Sequence, residues 1–577
     1  MPNTTKDAAS GAEKHSSAKS ATDDKAGSSA PGKDGAADPL VTSVKTALRA
    51  AALPGEEHGF DDDARLEAAR VVARAAQSRK PGTASILLEP MAAAGRRRRM
   101  RLVVINDDMP FLVDSTAGIV GAHNIIVDRV IHPVVSVRRD AKGVMQDIDC
   151  EPCEDHKPAK GMIRESIIYM EMDRADARVR KTLAAALAAG LRDVRAAVAD
   201  WPAMQDALAA DIKRTSGEGS ALLAWFLDRN LTQIGHERRS RKNEQSHPLG
   251  IARTTASPLL AGETIAAAFK WFDDGGEAPL IIKSNLVSNV HRRVLVDLII
   301  VPLQTGKGQN VDALSIHAGL WTSAAMSAPP ADVPVLRARL SNVMRRFNFD
   351  PAGHAGKALA HALTALPHDM MVALEADKTE HLAMTAMSLS DRPRPKLFLV
   401  EGALGRHLFA FVWLPRDEVS TGRRMAIQSM LTTAAKASVI SWNIVLEDGA
   451  AAMLRYTLDL RDGGVVPDAA ALDDQLKTMV RGWLPGVEEE LGELGETSRA
   501  AALTRKYAEI FPANYRISYG SDEAARDIMR LRDVTRLSPR TVRLYRRKGD
   551  RARQVRLKVY NLSGSMPLSD EIGRAHV

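Results

Sequence analysis

The stretch RLVVINDDMPFLVDSTAGIVGAHNIIVDRVIHPVVSV, residues 101–137, decides how this chain folds. It opens on an apolar run of the kind a buried strand carries, after which Asp108 stands at a helix N-cap and Pro110 in the first turn. Leu112, Val113, Thr116, Ile119 and Val120 recur at helical spacing and mark one face of that helix. Ile125, Val127, Ile131 and Val135 then follow with the period of a strand, and Pro133 places this strand at an edge or on a bulge. A turn at 141–143, a further strand over 166–172 and a long helix carrying Val179, Leu183, Leu187, Leu191, Val194 and Val198 complete the order βαββα. Helices packed on one face of an antiparallel sheet follow from that order, which makes the fold class α+β.

Working outward, the order is that of a ferredoxin-like small-molecule sensing module of the ACT type. Residues 1–38 hold almost no large apolar side chain and are expected to be a disordered tail. The first sensor-like domain with its flanking helices takes 39–215. A mixed αβ and helical region at 216–385 contains the helix ALLAWFLDRN (221–230) and the strands LIIKSN (280–285) and RRVLVDLIIVPL (292–303). At 386–465 the order is ββαββ: PKLFLV, a turn at 401–405, HLFAFVWLP, a helix over 421–436, VISWNIVLED and MLRYTLDL, a second sensor-like sheet domain. Residues 466–540 read as helical, with Tyr507, Phe511 and Tyr515 as packing anchors. VRLYRRKGDRARQVRLKVYNL (542–562) reads as a hairpin opening a third such domain over 541–570. The closing EIGRAHV, 571–577, resembles a translated sequencing adapter, so the expectation is a truncated chain with a non-native end.

With 577 residues the chain exceeds what one core of about 250–300 residues holds, so several modules are expected. The hydrophobic fraction of 45% and charged fraction of 26% are those of an ordinary soluble protein. A net charge of +8 is interleaved with acidic residues along helical faces, which argues against a nucleic-acid partner. The densest basic run, Arg96 to Arg99 with Arg101, reads as a solvated strand flank. Phe409, Phe411 and Trp413 share one strand face, where an RNA-binding sheet would expose them; burial against the helix at 421–436 is the expectation. Apolar runs such as 294–303, broken by Asp297 and Pro302, are too short for a membrane span. Cys150 and Cys153 offer no disulfide framework and fit a reducing cytoplasm.

Residues able to carry chemistry are few. No G-x-G-x-x-G occurs, and GHAGK at 353–357 has the wrong spacing for a phosphate loop. Cys150, Cys153 and His156 give three metal-type ligands without a fourth, and no metal is expected. His132, His236 and His291 read as isolated packed or surface histidines. Asp107, Asp108 and Asp114 suit helix capping better than catalysis. The same turn, Asp107, Asp108, Met109 and Asp114, is the candidate effector site, because a strand-to-helix turn presents amides to a carboxylate.

The segments INDDMPFLVDSTAGIVGAHNIIVDRVIHPVVSVRRDAKG and RESIIYMEMDR resemble the sensor region of the large bacterial NAD-specific glutamate dehydrogenases. LLAWFLDRNLTQIG, IIKSNLVSNVHRRVLVDLIIV, LWTSAAMSAPPADVPVLRARL, DPAGHAGKALAHALTALPHD, FVWLPRDEVSTGRR and YAEIFPANYR follow in that family's order. The resemblance implies a homo-oligomeric enzyme that converts L-glutamate to 2-oxoglutarate and ammonia with NAD, and regulatory ACT-like domains that an amino-acid effector addresses. It also implies that catalytic and cofactor-binding residues lie beyond residue 577, so none is assigned in this chain. Phe111 stands where a typical ACT turn has glycine after the proline, which would block close backbone approach. A stand-alone amino-acid-sensing or interaction module is the alternative. An interrupted third domain would leave an unpaired strand edge near 556–560 and poor behaviour in isolation.

Overall fold

A computed structural model describes residues 38–91, 98–149, 158, 160–255, 258–304, 311–390, 392–446, 451–480, 482–512, 515–516, 519–546 and 555–562. The expected tail, the C-x-x-C pair with His156 and the segment 571–577 lie outside them. The fold is α+β, with antiparallel sheets, as the element order predicts. Among the described residues, no helix is long and apolar enough to cross a membrane.

The first part runs α1 (Pro39–Ala51), α2 (Asp62–Ala76), β1 (Ser85–Pro90), β2 (Arg99–Asp107), α3 (Leu112–Ala122), β3 (Val127–Ile131), β4 (Val134–Arg139), β5 (Met145–Asp149), β6 (Ile163–Asp173) and α4 (Ala177–Ala199). The sheet order is β1-β2-β6-β4-β5, with β3 also on β6. Three local expectations change. The residue at the N-cap of α3 is Phe111, at φ 72, and no side chain caps it, so Asp108 is not the cap. The single strand expected through Val135 is two, because His132 and Pro133 interrupt the ladder where proline has no N–H to give. Arg101 is 2% exposed rather than solvated, since β2 is an interior strand between β1 and β6.

The second part adds α5 (Trp201–Ile212), α6 (Gly217–Trp225), β7 (Leu231–Ser240), β8 (Gln245–Gly250), α7 (Gly262–Asp273), β9 (Leu280–Val287), β10 (Leu295–Leu303) and β11 (Ala313–Trp321). These strands form an antiparallel sheet in the order β8-β7-β11-β10-β9. Five helices follow: α8 (Ser323–Ser327), α9 (Leu336–Arg346), α10 (His354–Ala365), α11 (His368–Ala373) and α12 (Ala376–Ser390).

Next comes the ββαββ unit: β12 (Lys396–Glu401), β13 (His407–Pro415), α13 (Thr421–Ala435), β14 (Ser438–Leu446) and β15 (Ala451–Asp459), in the sheet order β12-β13-β15-β14. Alternation along β13 serves two cores. Leu408, Ala410, Val412 and Leu414 join Ile427 and Leu431 of α13 and Leu476 of α14 (Ala469–Val480). Phe409, Phe411 and Trp413 are buried, but on the opposite face, with Met370 and Leu382 of α11 and α12. The expected partner, α13, is on the wrong side of the pleat for odd-numbered residues.

The remaining helices, α15 (Trp483–Leu491), α16 (Ala500–Tyr507) and a final one at Ser521–Asp533, share a small core around Val487, Leu491 and Ile528. Phe511 and Tyr515 do anchor it, their ring centroids 4.4 Å apart. The expected hairpin is β16 (Arg540–Tyr545) paired with β17 (Arg556–Asn561).

The chain divides into two compact units: one comprises the described parts of Met1–Leu87, Val103–Asp107 and Arg129–Met170, the other those of Leu88–Leu102, Asp108–Asp128 and Glu171–Val577. In the first, Val44, Leu48, Val71 and Val72 of α1 and α2 pack on Val103, Ile105, Val135, Ile167 and Tyr169.

Candidate functional site

Glu165 on β6, in the first unit, is fully buried, where an ionised carboxylate is tolerated only with partners. Arg139 supplies a bidentate pair, Nε to Oε1 at 2.6 Å and Nη2 to Oε2 at 2.7 Å. Arg79 donates to the same Oε1 from Nε at 3.0 Å and Nη2 at 2.6 Å. Its Nη2 also donates to the carboxylate of Asp107 at 2.6 Å, and its Nη1 to the Thr83 carbonyl at 2.8 Å. Gly143, at φ +84, closes the turn at 141–143 so tightly that a Cβ there would stand 2.3 Å from the Arg79 carbonyl oxygen. Asp107, one of the four candidate effector residues, is thus half-buried and bound to an arginine.

Asp108, Met109 and Asp114 belong to the second unit. Asp108 and Met109 are half-buried and Asp114 is exposed in the first turn of α3. Residues 288–293, between β9 and β10, lie over this turn. The His291 amide donates to Ser115 Oγ at 2.9 Å, and its Nδ1 stands 3.0 Å from the Asp114 carboxylate. The His291 ring packs on Phe111 with centroids 5.1 Å apart, and the Arg293 stem lies against Gly118. Phe111 thus packs against His291, whose partners lie far from it in sequence. His132 is likewise partnered, its Nε2 2.7 Å from Ser166 Oγ, as is His236, 3.0 Å from Ser315 Oγ.

A second buried charge cluster went unnoticed in the sequence because its members lie on four elements. Lys283 of β9 meets Asp297 of β10 at 2.6 Å and also bonds Asp369 of α11, while Arg455 of β15 stands 4.0 Å from Asp369. Burial pushes the Asp297 carboxyl up to about 6 against the pull of Lys283. Asp369 is pushed up by burial too, but Lys283 and Arg455 hold it down at about 2. Beside them Asn285 donates to Asp459 at 2.6 Å and its Oδ1 stands 2.9 Å from Nε2 of His407. Burial, with Arg406 adjacent, pushes His407 down to about 4. Separately, a cleft of about 1080 Å³ has Gly217 and Glu218 of α6, Trp271, Arg339, Lys378 and Glu401 in its walls.

Four family models match in succession: glutamate dehydrogenase ACT1 domain at residues 47–187, helical motif 1 at 333–392, ACT2 domain at 396–484 and helical motif 2 at 490–534. The chain is 26% identical to the NAD-specific glutamate dehydrogenase of Halomonas elongata and 27% identical to that of Pseudomonas aeruginosa, in each case over 81% of this chain and 30% of the relative. Identity to the NAD-specific glutamate dehydrogenase of Mycobacterium tuberculosis is 21% over 75% of this chain and 27% of the relative. The chain therefore spans about 30% of the length of the first two relatives. Two sensor-type sheets, each followed or preceded by the matching helical motif, agree with that succession, and the chain belongs to the large bacterial NAD-specific glutamate dehydrogenases.

Proposed function

We propose that this chain is the regulatory and assembly portion of an NAD-dependent glutamate dehydrogenase. The whole enzyme converts L-glutamate, NAD and water to 2-oxoglutarate, ammonia and NADH, with the chemistry carried by sequence outside these 577 residues. The observation behind this reading is the succession of two ACT and two helical-motif modules. The sequence has no glycine-rich turn for a dinucleotide, and in this reading the full-length enzyme is a cytoplasmic homo-oligomer that binds NAD. An amino-acid effector is assigned to the turn of Asp107, Asp108, Met109 and Asp114.

Two measurements test this. The purified chain, given L-glutamate and NAD, is expected to form no NADH; turnover would overturn the assignment. Genomic sequence downstream of the Asp570 codon is expected to continue into a glycine-rich dinucleotide motif. A stop after Val577 would instead favour a stand-alone sensing module. For the effector turn, an amino acid that raises the melting temperature of the parent chain is expected to lose that effect in Asp108→Ala and Asp114→Ala.

A further inference from the structure

β7 and β11 are neighbours in the middle sheet, and their register sets His236 directly opposite His317. Cross-strand partners share a face, so the two imidazoles lie side by side, with centroids 4.7 Å apart. Asp211, in the last turn of α5, reaches the same place, its Oδ2 2.8 Å from Nε2 of His317. His236 and Asp211 are each 1% exposed and His317 is 0% exposed. One ligand atom from each of the three lies within 4.8 Å of the others.

We propose that Asp211, His236 and His317 form a buried site for one divalent first-row transition-metal ion of the zinc class. Two imidazoles and one carboxylate are a donor set that such ions take, with a fourth position left for water or a hydroxyl. The Ser315 hydroxyl stands between the rings, 3.0 Å from Nε2 of His236 and 3.4 Å from Nε2 of His317. Metal-binding imidazoles must be neutral, and burial, aided by His317 alongside, pushes His236 down to about 3. The outer partners that orient ligands are also present. Arg214 holds Oδ1 of Asp211 at 2.6 Å and leaves Oδ2 to the site. The Gln233 amide stands 3.0 Å from Nδ1 of His317 and receives a hydrogen bond from Gln205 at 2.8 Å.

Without an ion, the same atoms make a hydrogen-bonded chain in which His317 donates its Nε2 proton to Asp211. Metal binding at Nε2 requires that proton to move to Nδ1. Turning the Gln233 and Gln205 amides over supplies the acceptor, so the exchange needs no net loss of a proton. Ligands about 2.0–2.1 Å from zinc stand roughly 3.3 Å apart, so the longest edge must close by about 1.5 Å at most, a side-chain adjustment. The ion would clasp α5 to β7 and β11.

The experiment must separate this site from Cys150, Cys153 and His156. The 577-residue chain carrying Cys150→Ser and Cys153→Ser is expressed with zinc, dialysed and assayed by plasma mass spectrometry. About one zinc per chain is expected, falling below about a tenth when Asp211→Asn or His236→Ala is added. If those variants do not fold, cobalt loading of the cysteine-free chain decides. Visible ligand-field bands without thiolate charge transfer support the site. Cysteine-free protein that takes up neither metal, or full zinc retention in the folded His236→Ala variant, overturns it.

Discussion

Replacing Glu165 with glutamine keeps the shape of the side chain and removes the carboxylate that Arg139 and Arg79 share, which leaves Arg79 with Asp107 alone. Breaking a buried network this way costs about 3–5 kcal/mol, so Glu165→Gln should move the urea midpoint of the first unit steeply downward. Unchanged stability would mean that water reaches the cluster. His407 makes a prediction with a definite sign. Its folded pKa, about 4, lies below the unfolded 6.5, so the folded state refuses a proton that the unfolded chain accepts. The stabilisation is complete above pH 6.5 and is lost as pH falls toward 4, amounting to up to about 3 kcal/mol for a shift of this size. The melting temperature should fall over that window, and His407→Gln should flatten the slope there. The residue scale was also the least legible in the sequence. Arg79 and Glu165 are 86 positions apart, and nothing local to either announces the other.

At the scale of elements, β13 was readable as a strand, since HLFAFVWLP is the unbroken apolar run of a strand buried on both faces. Which helix covers which face was not, because that depends on the direction in which the chain leaves the sheet. The consequence is testable on two strands of this sheet. Phe411→Ala should cost about 3–5 kcal/mol because its ring is fully buried among the helices α9 to α12 and their neighbours. Trp442, on the edge strand β14, is 48% exposed, with Arg424 4.4 Å above its ring, so Trp442→Ala should change stability by about 1 kcal/mol or less. Equal losses would show that the two faces of the sheet are not divided as described. A further element, the hairpin of β16 and β17, is held by charge. Asp527 receives bonds from Arg543 at 3.1 Å, Tyr560 at 2.6 Å and Lys558 at 2.5 Å. Asp527→Asn should abolish hydrogen-exchange protection across 540–545 and 556–561 while β13 stays protected. Loss of protection everywhere would contradict a local role.

For the whole molecule, the α+β class was legible from the repeated βα orders, since each order must bury its own apolar face. The middle five-stranded sheet was only partly readable: β9 and β10 are apolar runs, but β7 ends in GHERRS and carries buried His236, Glu237 and Arg239, a composition that hides a strand. Separate cores around Val103, Phe411, Tyr456 and Ile528 mean that unfolding should not be all-or-none. Scanning calorimetry is expected to give a calorimetric enthalpy larger than the van't Hoff value; equality would show the cores to be one cooperative block.

Because Asp527 draws the polar side of the hairpin inward, the side that carries Val542, Leu544 and Leu557 is 57%, 70% and 47% exposed. In solution such a face behaves as an adhesive stripe, and its effect is colloidal: light scattering should rise with ammonium sulfate well before any loss of circular dichroism. Leu544→Lys should delay that onset, so that the concentration at which this protein can be handled is governed by a few square nanometres of one ribbon rather than by its melting point.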